Sequence, residues 1–272
     1  MYIKSKPGRY GLLLRVLSDA QYRYFCNMRL YRGKDLTVPE CEKGCENIVK
    51  TLAQPYFMSG RSVTTDRYYT SVNLAKDLFA VGLTLTGTVN ANRKNLPLAA
   101  KSTQGREKYS NEFFFHHFDS SVITLVSHIP KKNMDNALLL LSSGHVTNKV
   151  PDFDNKGRDN KIRKKSEINL FYNSTKGGVD TLDYMCRVYT AKRGSSRWTM
   201  SLFGTLIDMA AINTQTCCYH LDLTRGSKII PSTVTRSISF SFCNEIDCSL
   251  HVQPQFRWSS TKCGSSNEHD YS

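Results

Sequence analysis

The sequence has no apolar run long enough to cross a lipid bilayer. Its longest apolar stretches, such as residues 137–141, are far short of the roughly 20 residues that a membrane-spanning helix needs. The opening residues, MYIKSKPGRYG, also lack the apolar core of a secretory signal peptide. We therefore expect a soluble, intracellular protein that has no membrane partner.

Acidic residues are scarce relative to basic ones. The 272 residues include 23 Asp and Glu against 37 Lys and Arg, a formal net charge of +14 at pH 7. Such an excess favours a polyanionic partner, above all a nucleic acid, although other classes of protein are equally basic. Hydrophobic residues make up 40% of the chain. This is enough for the core of one large domain or two small ones, so general disorder is excluded.

The cysteines do not form a disulfide framework, because their number, nine, is odd and no secretory signal accompanies them. Three residues separate Cys41 from Cys45, and four separate Cys243 from Cys248. A structural zinc ion usually takes two closely spaced pairs of ligands. Further ligands could come from His220, His251 and Cys263. No second pair has the tight, regular spacing, so we favour reduced thiols over structural zinc.

The first hundred residues alternate between β-prone and helical patterns. Hydrophobic periodicity predicts helices over 40–54 and 71–81, the second with Ser71 as its N-cap. Strands are predicted where apolar and β-branched residues cluster, at 12–17, 22–30, 61–69 and 83–89. This order is typical of an α/β protein.

The second half of the sequence begins β-rich and becomes helical. Strands are predicted at 113–118, 122–129 and 137–141, and helices within 176–222. The charged segment 151–167 is predicted to be a solvated loop, whose KIRKK run at 161–165 could also serve as a nuclear address or a phosphate contact. Residues 224–272 show no packed element apart from a strand-like run at 238–242.

Three aspartates lie at the ends of predicted elements. Asp19 follows the first strand, Asp66 follows a β-prone run, and Asp180 opens a helix after Gly177 and Gly178. Carboxylates in such positions can converge and hold two divalent metals about 3.5–4 Å apart, an arrangement used for phosphodiester transfer. Asp183 lies one helical turn beyond Asp180. Taken singly, each acid is equally explained as a helix cap or a surface residue.

Long segments of the chain closely resemble piggyBac-type transposases and the proteins derived from them. The clearest are YNSTKGGVDTLDYMCRVYTAKRGSSRWTMSLFGTLIDMAAINT at 172–214 and TTDRYYTSVNLAKDLFAVGLTLTGTVNANRKNLP at 64–97. The opening KPGRYGLLLRVLSDAQYRYFCNMRLYRG resembles the first catalytic strand of that family. The run SSVITLVSHIPKKNMDNALLLLSSGH at 120–145 resembles its β-rich insertion.

The resemblance implies an α/β fold with an RNase H-like DDE/D transposase core that a β-rich insertion domain interrupts. The implied divisions are 1–98 for the first part of the core, 99–170 for the insertion and a basic linker, 171–223 for the helical second part of the core, and 224–272 for a diverged tail. In such a core the three aspartates bind two Mg²⁺ ions, with Mn²⁺ as the alternative.

The resemblance also assigns individual residues. The metal ligands would be Asp19, Asp66 and Asp180, and Asp183 matches a further acid that the family needs for catalysis. Trp198 matches an aromatic residue beside the active site or the DNA. From charge and position we add candidate contacts to DNA, namely Lys176, Arg193, Arg197, Asn92, Arg93 and Lys94.

The implied activity is metal-dependent DNA cleavage and strand transfer at TTAA sites, in the nucleus, by a catalytic domain acting on double-stranded transposon ends. Full-length members of the family carry an N-terminal DNA-binding region and a C-terminal zinc domain, which this sequence is expected to lack. We therefore expect no autonomous transposition, and a homodimer or a helper transposase as partner. The alternative is a domesticated or degenerate protein that binds DNA or protein without catalysis.

Overall fold

The structure is a computed structural model, and it describes residues 13–31, 44–93, 95–119, 121–130, 137–146, 148, 165–193, 197–226, 237–241 and 259–262. The strands are β1 (Leu14–Asp19), β2 (Phe25–Leu30), β3 (Ser62–Thr65), β4 (Thr84–Thr88), β5 (Asn111–Phe118), β6 (Ser121–His128), β7 (Leu138–Ser142), β8 (Ser237–Ser241) and β9 (Ser259–Lys262). The helices are α1 (Cys45–Ala53), α2 (Val72–Ala80), α3 (Leu98–Lys101), α4 (Glu167–Thr175), α5 (Gly178–Val188) and α6 (Trp198–Gly226).

All nine strands belong to one mixed sheet, in the order β2-β1-β8-β3-β4-β7-β6-β5-β9. Strand β3 is parallel to β4 and to β8, and the other neighbouring pairs are antiparallel. The predicted α/β fold class is therefore confirmed. Parallel strands need covered faces, and all four residues of β3 are buried.

Helix α2 covers part of this sheet with the apolar stripe that its sequence predicts. Leu74 and Leu78 are fully buried in the main core cluster. The hydroxyl of Ser71 accepts the backbone N–H of Leu74 at 3.0 Å, so the predicted N-cap is confirmed. The helix ends before Gly82, whose φ of 70° is a conformation that glycine adopts without strain.

The hairpin of β1 and β2 is joined to β3 through β8. Asp19 pairs with Ile238 in the antiparallel β1–β8 ladder, and Ile238 pairs with Val63 in the parallel β3–β8 ladder. Strand β1 therefore runs antiparallel to β3. Its carboxyl end lies level with the middle of β3, two strands away.

The strands of the predicted insertion extend the same sheet. Strand β7 pairs with β4 on one side and with β6 on the other, and α4 packs on this part of the sheet through buried Ile168, which joins Phe113, Val126 and Leu140 in a second cluster. The boundary at residue 98/99 stays a prediction. What the structure adds is a continuous ladder of hydrogen bonds across it.

Helices α5 and α6 pack together near β1. Val16, Leu182, Cys186, Met209 and Ile212 form their shared cluster. Helix α6 is 29 residues long, and within the described ranges no helix has the combined length and apolarity of a membrane span. Strand β8 matches the strand-like run in the tail, whereas residues 151–164 of the predicted charged loop lie outside the described ranges.

Candidate active site

Asp66 lies in a tight turn directly after β3. Its carboxylate Oδ1 accepts the backbone N–H of Tyr68 at 3.0 Å. Its carbonyl oxygen accepts the hydroxyl of Thr70 at 2.7 Å. The same Thr70 hydroxyl lies 2.7 Å from that of Thr65. Because both threonines are buried, these bonds fix the turn to the end of the strand.

Gly87 on β4 makes room for this turn. A Cβ atom at Gly87 would overlap the hydroxyl of Thr70 and both the carbonyl oxygen and the hydroxyl of Thr65. Only a residue without a side chain therefore lets the turn lie against the neighbouring strand. The glycine in LTLTGTV is thus a structural requirement of the Asp66 turn.

Asp180 reaches the same edge of the sheet from the other side. It lies in the first turn of α5, five residues after Thr175 at the end of α4. The hydroxyl of Thr64 donates to that of Thr175 over 2.8 Å, and both are buried. This bond holds the junction between α4 and α5 against the carboxyl end of β3.

The charge of Asp180 acts on Asp66, so the two carboxylates lie within electrostatic range of each other. The pKa of Asp66 is raised, first by burial, while the amides of Tyr68 and Tyr69 and the charge of Arg67 lower it. The negative charge of Asp180 raises it further. We call these two residues the acid pair. Asp66 is partly buried and Asp180 is exposed, and two carboxylates that repel each other are stabilised by a cation or by a proton.

Tyr172 and Lys176 belong to the C-terminal half of α4 and its C-cap, which lead to Asp180. Burial raises the pKa of Tyr172, its hydrogen bond with Thr88 lowers it, and the negative charges of both acids of the pair raise it. The Tyr172 hydroxyl is 3.4 Å from that of Thr88. The Nζ of Lys176 lies 5.7 Å from the centre of the Tyr172 ring. Lys176, a predicted DNA contact, thus lies at the junction of α4 and α5 that leads to Asp180.

The other two predicted acids, Asp183 and Asp19, lie in different parts of the structure. Asp183 is exposed one turn along α5, with its carboxylate 3.5 Å from Nε of Arg187. Asp19 accepts the backbone N–H groups of Gln21 at 2.8 Å and Tyr22 at 2.7 Å. Burial raises the pKa of Cys26, and the charges of Asp19 and Arg61 also act on it. The β1–β8–β3 ladder places Asp19 level with Val63 and two strands away, whereas Asp66 follows the last residue of β3.

The donor set fits one hard cation better than two. Mg²⁺ is bound through one or two carboxylates together with water and substrate phosphates, which matches the acid pair. In the part of the chain that the structure describes, no group of three His, Cys, Asp or Glu residues could hold a metal ion. The acid pair therefore lacks the third carboxylate that the two-ion arrangement would draw from Asp19.

Comparison with known proteins identifies the family. A family model described as Transposase IS4 matches residues 1–215. The chain belongs to this transposase family. A solved structure, the cryo-EM structure of a piggyBac transposase synaptic complex with hairpin DNA, is 34% identical with a TM-score of 0.68. The match covers 85% of this chain and 45% of that one. The resemblance to piggyBac-type transposases is thus confirmed, and the chain spans less than half the length of this relative.

The remaining predicted DNA contacts of this transposase chain fall into two groups. Arg93 donates from Nη2 to the carbonyl oxygen of Tyr68 at 3.0 Å, which ties its turn to the Asp66 turn. The backbone N–H of Asn92 binds Oδ1 of Asn90 at 3.0 Å, and Lys94 lies outside the described residues. The second group precedes or opens α6, where Arg193 and Arg197 are exposed and Trp198 is 60% exposed.

Sequence reasoning missed two polar anchors of α6. Asp208, only 2% exposed, accepts the hydroxyl of Thr190 at 2.8 Å and the N–H of Ala191 at 2.9 Å. The side chain of Asn213 pairs with both backbone groups of Phe25, at 2.7 and 2.9 Å. Their position among apolar residues of the helix could have indicated this role, because buried polar side chains normally form hydrogen bonds.

Most of the candidate zinc ligands lie outside the described part of the chain. Cys41, Cys243, Cys248, Cys263 and His251 lie outside the described residues, as does the side chain of His220. The described cysteines carry free thiols: Cys26, Cys45, Cys186, Cys217 and Cys218.

Proposed function

We propose that this chain supplies the metal-binding catalytic domain of a piggyBac-type transposase, which cuts and rejoins DNA strands. The observation that supports the proposal is the acid pair in a chain of this family: Asp66 directly after β3, and Asp180 in the first turn of α5, beyond the junction that the Thr64–Thr175 bond holds against that strand. The net charge of +14 supplies the attraction for a polyanion that an acidic centre alone would repel.

In the proposed site Asp66 and Asp180 hold a divalent cation, with Mg²⁺ favoured and Mn²⁺ as the alternative. The bound cation supplies the activation of water or of a DNA 3′-hydroxyl and the stabilisation of the leaving oxygen. Lys176, at the junction that leads to Asp180, holds a phosphate of the scissile strand. Arg93, fixed to the Asp66 turn, orients the same backbone. Asp183 stands one turn further along α5 as a second acid near the cation.

The assignment of Asp19 rests on its sequence motif. To join the acid pair it would have to leave its place level with Val63, which requires the β1–β2 hairpin to move relative to β3. The proposal for two metal ions and for TTAA-specific cleavage therefore includes this rearrangement. DNA, a homodimer or a helper transposase would have to stabilise it.

The test is cleavage of a TTAA-flanked transposon end by the purified chain with Mg²⁺ or Mn²⁺. We expect Asp66→Asn and Asp180→Asn to abolish cleavage and Lys176→Ala to weaken it. Lys108→Ala provides a matched loss of charge outside the proposed site, because Lys108 is also exposed and its Nζ also lies over a tyrosine ring, that of Tyr109. Equal cleavage by the wild type and the two Asn variants would show that a contaminating nuclease is responsible.

Binding to double-stranded DNA can be tested separately, through the dependence of its affinity on salt concentration. Each phosphate contact releases counterions, so affinity should fall steeply between about 50 and 200 mM salt. Replacing Arg193 or Arg197 by Ala should make that salt dependence shallower. Trp198→Ala should weaken binding without changing the slope, because stacking does not release counterions. Affinity that is independent of salt would count against phosphate contacts.

A nuclear location and an oligomeric partner complete the proposal. A fluorescent fusion tests the first, with the basic residues of KIRKK replaced by Ala as the variant that should stay outside the nucleus. Light scattering with and without transposon-end DNA tests for a homodimer. Complementation by a full-length piggyBac-type transposase tests for a helper, since this chain matches 45% of such a relative.

A non-catalytic, transposon-derived DNA- or protein-binding role is the second candidate. The position of Asp19, two strands from the acid pair, favours it. This role predicts DNA binding that is unchanged by chelators and by Asp66→Asn, together with no cleavage under any cation. Metal-dependent cleavage that Asp66→Asn removes would exclude it.

A further inference from the structure

Two pairs of hydroxyl groups join the C-terminal half of α4 to the sheet beside the acid pair. Thr175 bonds to Thr64 on β3 at 2.8 Å. Tyr172 lies 3.4 Å from Thr88 on β4. The first contact is the shorter of the two, and both of its hydroxyls are buried.

The direction of the Thr175 bond is defined by its second partner. The hydroxyl of Thr175 donates to the carbonyl oxygen of Phe171 at 2.9 Å. It therefore accepts from Thr64, which donates. Both protons are used, so a side chain without a hydroxyl at 175 would leave the buried Thr64 hydroxyl unpaired.

The two threonines stand close in sequence to the two acids. Thr64 precedes Asp66 by two residues, and Thr175 precedes Asp180 by five. Between Thr175 and α5 lie only Lys176 and Gly177, whose backbone has φ of −88° and ψ of 1°. A short connection of this kind transmits the position of Thr175 directly to the first turn of α5.

Apolar packing fixes the opposite end of α4. Ile168, in the first turn, is fully buried against Phe113, Val126 and Leu140. Seven residues of helix, a rise of about 10 Å, separate it from Thr175. An anchor at Ile168 alone would let the C-terminal end of α4 tilt, and with it Asp180.

We propose that Thr175 is a positioning residue whose bond to Thr64 sets the separation of the Asp66 and Asp180 carboxylates. The inference rests on the proposed function, because it gives the acid pair a cation to hold. Partners of metal ligands in other proteins change metal affinity by about 10–100-fold when they are replaced. Thr175 acts one step further back, through the helix junction.

The experiment measures Mn²⁺ affinity of the full chain by electron paramagnetic resonance of the free ion, at a temperature where every variant is folded. Thr175→Val keeps the shape of the side chain and removes the hydroxyl, and we expect at least about a tenfold weaker affinity. Thr175→Ser restores the hydroxyl and should bind within about threefold of the wild type.

Thr86→Val is the matched control. The hydroxyl of Thr86 lies 2.9 Å from that of Ser142 and is buried, and Thr86 pairs with Thr64 in the β3–β4 ladder. The control thus breaks the same kind of bond in the same sheet, but one that joins two strands. It should lower the melting temperature and leave Mn²⁺ affinity unchanged.

A double variant covers the case in which Thr175→Val does not fold. Thr64→Val with Thr175→Val removes both partners, which costs little stability because no buried hydroxyl is left unpaired. We expect it also to bind Mn²⁺ at least about tenfold more weakly. Affinity equal to the wild type in either Val variant, or an equal loss in Thr86→Val, would overturn the positioning role.

Failure of the proposed function gives a different result. If Asp66→Asn binds Mn²⁺ as well as the wild type does, the acid pair is not a cation site. If Asp66→Asn loses the ion while Thr175→Val retains it, the cation site stands and only the positioning role is wrong.

Discussion

At the scale of single residues, the candidate site brings two negative charges within electrostatic range of each other. Asp66 is half-buried, and Asp180 adds a negative charge that raises its pKa. Perturbed pKa values of this kind are concentrated at functional sites. Sequence motifs predicted both residues. They could not show that Asp19 lies elsewhere, because a motif records the identity of a residue and not the pairing of its strand.

Replacing Asp66 by Asn should stabilise the metal-free protein at pH 7. The folded state holds the Asp66 proton more tightly than the unfolded state, so this group lowers stability as pH rises from its usual pKa, 3.8, through the raised folded value. Asn keeps the oxygen that accepts the Tyr68 N–H. We therefore expect Asp66→Asn to melt at a higher temperature than the wild type at pH 7.

Thermal melts across pH provide the check on this expectation. The difference between the wild type and Asp66→Asn should vanish below pH 3.8, where the carboxyl is protonated in both states. Mn²⁺ should raise the melting temperature of the wild type alone. A variant that is less stable than the wild type at pH 7 would contradict the raised pKa of Asp66.

Gly87→Ala should disturb the Asp66 turn through contact alone. The added methyl group would overlap Thr65 and Thr70, and overpacking of this kind costs about 1–3 kcal/mol. Denaturant unfolding measures the loss. Gly177→Ala is the matched control, because its Cβ would meet nothing closer than Thr181 Oγ1 at 4.0 Å. Equal stability of the two variants would refute the close packing at Gly87.

At the scale of elements, the sequence predicted where helices and strands lie more reliably than how they join. Helices α1 and α2 and strands β3 to β7 lie within or beside the predicted segments, because each carries its own apolar periodicity. Strand β1 runs from Leu14 to Asp19, two residues beyond the predicted segment at 12–17. The anchors of α6 were not predictable in this way, since Asp208 binds residues 17 and 18 positions away.

Asp208→Ala should loosen the segment between α5 and α6. The change leaves the Thr190 hydroxyl and the Ala191 N–H without their acceptor, a loss of about 1–3 kcal/mol. The side chain of Lys192, whose Nζ lies 3.7 Å from Asp208, loses its partner as well. We expect faster tryptic cleavage after Lys192 and Arg193.

Limited proteolysis under native conditions tests this effect, with Asp183→Ala as the control. Asp183 pairs with Arg187 on the surface, and an exposed pair of this spacing contributes only about 0.3–0.5 kcal/mol. Its removal should leave the cleavage rate unchanged. Faster cleavage in both variants would mean that the segment is not held by Asp208.

At the scale of the whole molecule, the order of strands is the feature that the sequence could not supply. Strand β8 lies about 220 residues after β1 along the chain, yet it separates β1 from β3. Its five residues, SISFS, have β propensity, but nothing local to them specifies two partners of opposite direction. The separation of Asp19 from the acid pair follows from the position of β8 between β1 and β3.

Ile238→Pro should destabilise the fold if β8 holds this central place. Proline cannot donate to the ladder and would disrupt the pairing with both Asp19 and Val63, with a loss of about 1–3 kcal/mol for each unpaired group. Thr261→Pro in β9 is the control, since an edge strand tolerates proline better. Equal unfolding midpoints for Ile238→Pro and the wild type would remove β8 from the centre of the sheet.

The interior position of β3 and β4 has a consequence for the way the protein opens. Amide hydrogens of Val63 and Leu85, fully buried in paired strands, should exchange with solvent only when the whole domain unfolds. Those of the exposed residues 189–193 should exchange through small local openings. These residues would then open many times while β3, the strand that precedes Asp66, stays closed.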